Sequence, residues 1–244
     1  MFRFFCPSEN ISKDRIEIKD KREIRHILNV LKLKKNDEVF VFDGRNSEYR
    51  ALLEEILPTR LILKIKEKKI TLSKEELEIT LACAIPKKRR FDLIVEKLTE
   101  LGVKRIIPLK TARTEVLLDR VKEKNCLSRW QRIAVNSAKQ SKRIDVPVIE
   151  SQVEFGDILN RKKEYDLTVI CALHPKAKRI GEILEEIKPK KILILVGPEG
   201  DFTVQEVNLA LEKGFVPISL GNLILRVETA AIAICSFLRI YAYS

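Results

Sequence analysis

The stretch from Ile192 to Ala230 constrains this chain more than any other. Ile192–Val196 is an unbroken apolar run between Lys191 and Gly197, the pattern of a strand buried on both faces. The chain then turns through Gly197-Pro198-Glu199-Gly200-Asp201-Phe202. Thr203, with Glu206 three residues on, forms a capping-box pattern that opens a helix, and Lys213-Gly214 ends it. A second strand, Phe215–Leu220, stops at Gly221, and a turn over Asn222–Arg226 leads to a last helix from Glu228. Four of the chain's eight glycines fall here, each at a strand or helix end. Glycine at a strand's carboxyl end admits close approach of a ligand to the backbone, and open α/β sheets bind ligands at those ends. Gly214 reads as a helix stop, whereas Gly197, Gly200 and Gly221 read as walls of a pocket. Neither the phosphate-loop pattern G-x-x-x-x-G-K-[ST] nor the dinucleotide pattern G-x-G-x-x-G occurs in the stretch.

GPEGDF followed by LGNLILRVETA resembles the signature of the RsmE family. AIPKKRRFDLIVEKLTELGVKRIIPLKTART and RWQRIAVNSAKQSKR resemble the same family, so the likeness runs from about Leu81 to the end. Two positions depart from it: Asp201 stands where the family usually has glycine, and Asn222-Leu223 where it often has Pro-Arg. The resemblance implies a SPOUT-class methyltransferase that uses S-adenosylmethionine to methylate N3 of a uridine in the 16S ribosomal RNA of the small subunit. It implies a PUA-like, RNA-binding β-barrel over 1–72, then a SPOUT α/β domain over 73–244 with a parallel sheet and a C-terminal trefoil knot. It also implies a homodimer. The cofactor would lie against Leu173, Val196, Gly197, Glu199, Gly200, Leu220, Gly221, Asn222, Ile224, Leu225 and Thr229, with its adenine near Leu220, Ile224 and Leu225.

Uridine N3 is protonated at neutral pH, so such a reaction has to remove that proton or stabilise the resulting anion. Arg226, beside the cofactor loop, is the first candidate for stabilising it, and Arg143 of a second subunit is the next. Glu199 or Glu228 could take the proton; Glu228 could instead only favour the positive end of the last helix.

From Leu77 onward the pattern alternates strands (Ile79–Ile85, Arg105–Leu109, Leu167–Leu173) with helices (Phe91–Leu101, Leu127–Lys142, Ile180–Ile187, Val204–Lys213), as in a parallel sheet covered on both faces. Residues 1–72 read instead as a small β-rich domain. Its strands are Glu38–Phe42, Glu48–Leu57 and Arg60–Ile65, with a short helix between Lys21 and Leu31 and the charged run KIKEKK near its end. A linker is expected from Leu72 to Glu78.

Charge points to a polyanionic partner. The chain carries a net +12, and residues 84–145 alone hold seventeen basic against seven acidic residues, while residues 191–244 hold four against five. A localised basic block is the footprint of nucleic-acid binding, and a generally basic surface is the bland alternative. In the expected helix from Leu127, Arg129, Arg132, Asn136, Gln140 and Arg143 share one face, in register with an apolar stripe containing Trp130 and Ala134. With Lys87, Arg89 and Arg113, these residues are the candidate RNA contacts; Asn136 shares their register only.

The five cysteines lack C-x-x-C spacing and read as reduced thiols of a cytoplasmic protein. His174 follows an apolar run and precedes Pro175, but no second ligand accompanies it, and no metal is expected. No apolar run reaches membrane-spanning length. The last helix is apolar on all sides, which calls for a core position or a subunit interface. Two further functions stay open on the residues alone: a non-catalytic RNA-binding or ribosome-assembly protein, and another nucleotide-binding α/β enzyme.

Overall fold

The computed structural model describes residues 2–70 and 77–242. The chain divides into two compact units, Met1–Lys74 with Ala138–Val146, and Glu75–Ser137 with Pro147–Ser244. Most of the expected linker, and the expected boundary at 72/73, lie outside the described residues.

The first unit is a five-stranded sheet in the order β1-β3-β4-β5-β2. Its strands are β1 (Arg3–Phe5), β2 (Arg15–Ile18), β3 (Glu38–Phe42), β4 (Ser47–Leu57) and β5 (Arg60–Ile70). All pairings are antiparallel except β1 with β3. Two register shifts between β4 and β5, at Arg50/Ala51 and Leu53/Glu55, mark bulges, which bend and twist a strand. Phe4, Ile16, Val41, Ala51, Leu53 and Leu63 bring all five strands to one core. The KIKEKK run forms the last part of β5, in which Glu67, Lys68, Lys69 and Ile70 all pair with β4 and are exposed. The expected helix is α1 (Lys21–Arg25), capped by the Asp20 carboxylate, and it passes directly into a π-helical turn over His26–Val30.

The second unit begins with β6 (Glu78–Ala84), α2 (Arg90–Glu100) and β7 (Arg105–Lys110), followed by the start of α3 (Arg120–Gln140). Next come β8 (Val148–Ile149), β9 (Val153–Glu154), α4 (Phe155–Asn160) and β10 (Leu167–Cys171). It ends with β11 (Lys178–Arg179), α5 (Ile180–Ile187), β12 (Lys191–Val196), α6 (Val204–Glu212), β13 (Val216–Ser219) and α7 (Val227–Tyr241). The sheet runs β11-β13-β10-β12-β6-β7-β8 with every pairing parallel, and β9 joins β7. The apolar run of β12 lies at the centre, and Ile192 to Leu195 are fully buried, as a strand covered on both faces requires.

Three expectations change here. α3 begins at Arg120, seven residues before the expected start; its first turns are polar and carry no apolar period, and Asp119 caps it by accepting from the Lys122 N–H at 2.9 Å. α4 was not foreseen, being too short to show a period, and Phe155, Ile158 and Leu159 bury it. α7 is not buried on all sides. Val227, Ala230, Ala231, Ile234, Cys235 and Leu238 face inward, and the helix packs on α2, β6 and β12, but Phe237 and Ile240 remain exposed.

A candidate cofactor cleft and its basic rim

The carboxyl ends of β10, β12 and β13 open onto one cleft of about 300 Å³. Three loops wall it: the one after Cys171, Gly197–Asp201, and Ser219–Leu225, with Val227 and Ala230 of α7 closing one side. Leu173, Leu223 and Ile224 stand 72%, 79% and 90% exposed at its walls, an unusual placement for three large apolar side chains unless something covers them.

Each glycine has a local reason. A Cβ on Gly197 would stand 3.1 Å from the buried Phe202 ring, which itself packs on Phe155 at 5.5 Å. Gly221 has φ +117, where side chains are strained, and space around it is open. The Ser219 hydroxyl accepts from the Gly221 N–H and donates to its carbonyl, both at 3.2 Å, which holds that turn. At Gly200, which lines the cleft, a Cβ would meet the Arg113 side chain at 3.3 Å. The Arg113 guanidinium donates to the Gly200 carbonyl.

Of the cofactor residues read from the sequence, Leu173, Val196, Gly197, Glu199, Gly200, Leu220, Gly221, Ile224 and Leu225 line the cleft. Asn222 and Thr229 are exposed and lie outside the lining, between residues that form it. The sequence reading missed nine lining residues, among them Cys171, Asp201, Ser219, Leu223, Val227 and Ala230. Cys171 and Ser219 end their strands, and that position was the available signal; Val227 and Ala230 needed the path of α7. Burial, with the Asp201 charge adding to it, pushes the Cys171 thiol up to about 12, and burial raises Cys83 and Cys235 as well, so all three stay protonated at neutral pH.

Charged side chains gather beside the cleft. Glu199 accepts from the Lys87 N–H at 3.1 Å, and the Lys87 ammonium pairs with Glu115 at 2.7 Å. Glu228, in the first turn of α7, pairs with Arg90 at 3.3 Å; its other oxygen is buried without a partner among the described residues. Arg226 is exposed at the N-cap of α7. Lys88 and Arg89 are both left-handed, at φ 56, and lead directly into α2.

The arginine stripe of α3 does not face solvent as one row. Arg129 pairs with Asp92 at 3.1 Å, and the Trp130 indole N–H donates to the same carboxylate at 2.9 Å, so these groups bind α3 to α2. Arg143 belongs to the first unit, where Asp145 takes its guanidinium in a two-pronged pair at 2.9 Å and only 8% of the side chain is exposed. Its guanidinium is thus engaged within the first unit, and its expected roles as an RNA contact and as a catalytic arginine from a second subunit stay proposals. Arg132 and Gln140 are exposed.

A doubly covered parallel sheet with a glycine-walled cleft at its carboxyl edge, preceded by a small β unit, is the build of the α/β RNA methyltransferases. The RNA methyltransferase domain model matches residues 73–239, and the RNA methyltransferase PUA domain model matches residues 18–66. The ribosomal RNA small subunit methyltransferase E of Synechocystis sp. is 34% identical over 212 residues, covering 85% of this chain and 67% of that one. The Rickettsia conorii protein of the same name is 32% identical over 241 residues, 98% and 95% of the two chains. Among solved structures, a ribosomal RNA small subunit methyltransferase E from Neisseria gonorrhoeae bound to S-adenosyl methionine aligns at TM-score 0.85 and 32% identity, over 99% of this chain and 98% of that one. A methyltransferase from Legionella pneumophila with bound SAM aligns at 0.87 and 29%, with the same coverage. The chain belongs to the ribosomal RNA small subunit methyltransferase E family, the RsmE family.

Proposed function

We propose that this chain methylates N3 of a uridine in the 16S RNA of the small ribosomal subunit, with S-adenosylmethionine as donor. The cleft carries this reading. Its volume falls at the lower end of ordinary small-molecule sites, about 300–1,000 Å³, and its walls fit the donor. The apolar side chains of Leu220, Ile224 and Leu225 suit an adenine, and the Cβ-free Gly221, with open space around it, leaves its backbone groups accessible. When bound, the donor supplies a methyl group on a sulfonium.

The chain's own residues supply the rest. Arg226 stabilises the uracil anion on its carbonyl oxygens. Glu199 or Glu228 accepts the N3 proton; the partnerless, buried oxygen of Glu228 favours Glu228. Lys87, Arg89, Arg132 and Gln140 contact RNA, residues 1–72 act as an RNA-binding domain, and residues 73–244 act as the catalytic domain. The exposed Phe237 and Ile240 on an otherwise packed α7 support a homodimer through that helix. The five free cysteines support a cytoplasmic setting. No helix among the described residues is long and apolar enough to cross a membrane. The strand order supports the trefoil knot: β13 lies outside β10, and the chain then returns in α7 to β12 and β6.

Calorimetry with S-adenosylmethionine, followed by methyl transfer to small-subunit RNA, tests the function. Saturable binding with N3-methyluridine in the RNA is the expected result. Binding without transfer would favour the non-catalytic RNA-binding protein, and absence of binding would remove the reading altogether.

A further inference from the structure

The chain carries a net +12, yet the only charged residues lining the cleft, among the described residues, are Glu199 and Asp201, both acidic. Glu199 is exposed and already accepts the Lys87 N–H. Asp201 is half-buried and left-handed at φ 59, and one carboxylate oxygen accepts from the Phe202 N–H at 2.7 Å. Its other oxygen has no partner among the described residues. The field of Asp201 reaches the cleft floor, where it adds to burial in raising the Cys171 thiol. Arg113 meets this loop at the Gly200 carbonyl and is not part of the lining.

A site so charged favours a cation. S-adenosylmethionine carries one net positive charge, from its sulfonium, ammonium and carboxylate. S-adenosylhomocysteine has a neutral sulfide and no net charge. Methyl transfer therefore removes one positive charge from the occupant of the cleft: the carbon–sulfur bond breaks, the sulfur keeps the electron pair, and the uracil nitrogen forms the new bond.

We propose that the cleft discriminates by charge between donor and spent product, and that the Asp201 carboxylate sets the preference. This rests on the cleft being the S-adenosylmethionine site. In a half-buried position a charge is screened less than in bulk water, so the Asp201 carboxylate can separate two ligands that differ by one charge. The consequence is weak inhibition by product, because the preference lapses once the methyl group has gone.

The test is calorimetry on the full chain with each of the two ligands, for the unaltered protein, Asp201→Asn and Asp201→Gly. Asparagine tolerates a positive φ and keeps an oxygen to accept the Phe202 N–H, so the turn survives; glycine removes the charge and the backbone strain together. The expected result is that both variants lose about five- to tenfold in affinity for S-adenosylmethionine while S-adenosylhomocysteine binding changes less than about twofold. Donor affinity of the unaltered chain should also weaken with added salt, and that of the variants should respond less. If donor and product affinities fall together, or neither falls, the inference is overturned while the cofactor reading stands. If neither ligand binds the unaltered chain, the cofactor reading fails and takes the inference with it.

Discussion

Gly197 and Gly200 sit three residues apart in one loop and answer to different neighbours. At Gly197 a methyl group would press on Phe202, and the Phe155–Phe202 packing leaves that ring little room. Gly197→Ala should therefore destabilise the fold by about 1–3 kcal/mol, the usual cost of overpacking, and lower the melting midpoint. At Gly200 the methyl would meet only the exposed Arg113 side chain, so Gly200→Ala should stay within about 0.5 kcal/mol of the unaltered protein. Equal melting shifts in the two variants would refute this account of the loop. Arg226 stands beside the cleft without lining it and makes no side-chain cap for α7. Arg226→Ala should hold cofactor affinity within about tenfold, or about 1.4 kcal/mol, yet lose most of its turnover. Unchanged turnover on small-subunit RNA would end the proposed role of Arg226.

Among the elements, the hairpin joining β3 and β4 shows how one carboxylate organises a turn. Asp43 accepts the backbone N–H groups of Arg45, Asn46 and Ser47 at 2.9, 3.1 and 3.0 Å, and Gly44 follows at φ +75. Burial pushes the Asp43 carboxyl up, but these hydrogen bonds outweigh it and hold it below its ordinary value. A folded value below the unfolded one means that the unfolded chain binds the proton more readily. The stabilisation is thus complete above the unfolded value of roughly 3.9 and is lost as pH falls through the lower folded value. Asp43→Asn should melt earlier than the unaltered chain at pH 7, and the gap should close on acidification below about pH 4. A gap independent of pH would show that the charge contributes nothing to this turn.

For the whole molecule, the relevant quantities are net charge and assembly. Each phosphate contact that releases a counterion steepens the salt dependence of binding, by about 0.9 in log–log slope for duplexes and about 0.7 for single strands. Replacing the exposed Arg89 and Arg132 by alanine should flatten that slope by about one to two. Arg129→Ala should leave the slope alone and lower stability instead, because Asp92 would lose its ion-pair partner. The opposite pattern would mean that Arg129 leaves Asp92 to meet the RNA. Light scattering at micromolar protein should report twice the 28.2 kDa chain mass, and Phe237→Glu with Ile240→Glu should return it to one. A monomeric unaltered chain would leave the apolar stripe of α7 without the proposed role.

Local spacing was enough for much of this. The run Ile192–Val196, the glycines that end strands, the Thr203–Glu206 box and the Asp43-Gly44 turn all act between near neighbours, and all four were legible in order along the chain. The cleft's loops were legible for the same reason, because ligand sites of open α/β sheets follow the strand ends. What only the tertiary structure decided is which charges meet. Arg129 finds Asp92 at a separation of 37 residues and Arg113 finds Gly200 at 87, and no periodicity encodes either meeting. A helical wheel ranks side chains by direction, but whether an arginine faces solvent or a carboxylate depends on the element packed against it. Asp201 illustrates the same limit. Its acidity is written in the sequence, but its place as one of two charges in the lining exists only once three distant loops converge.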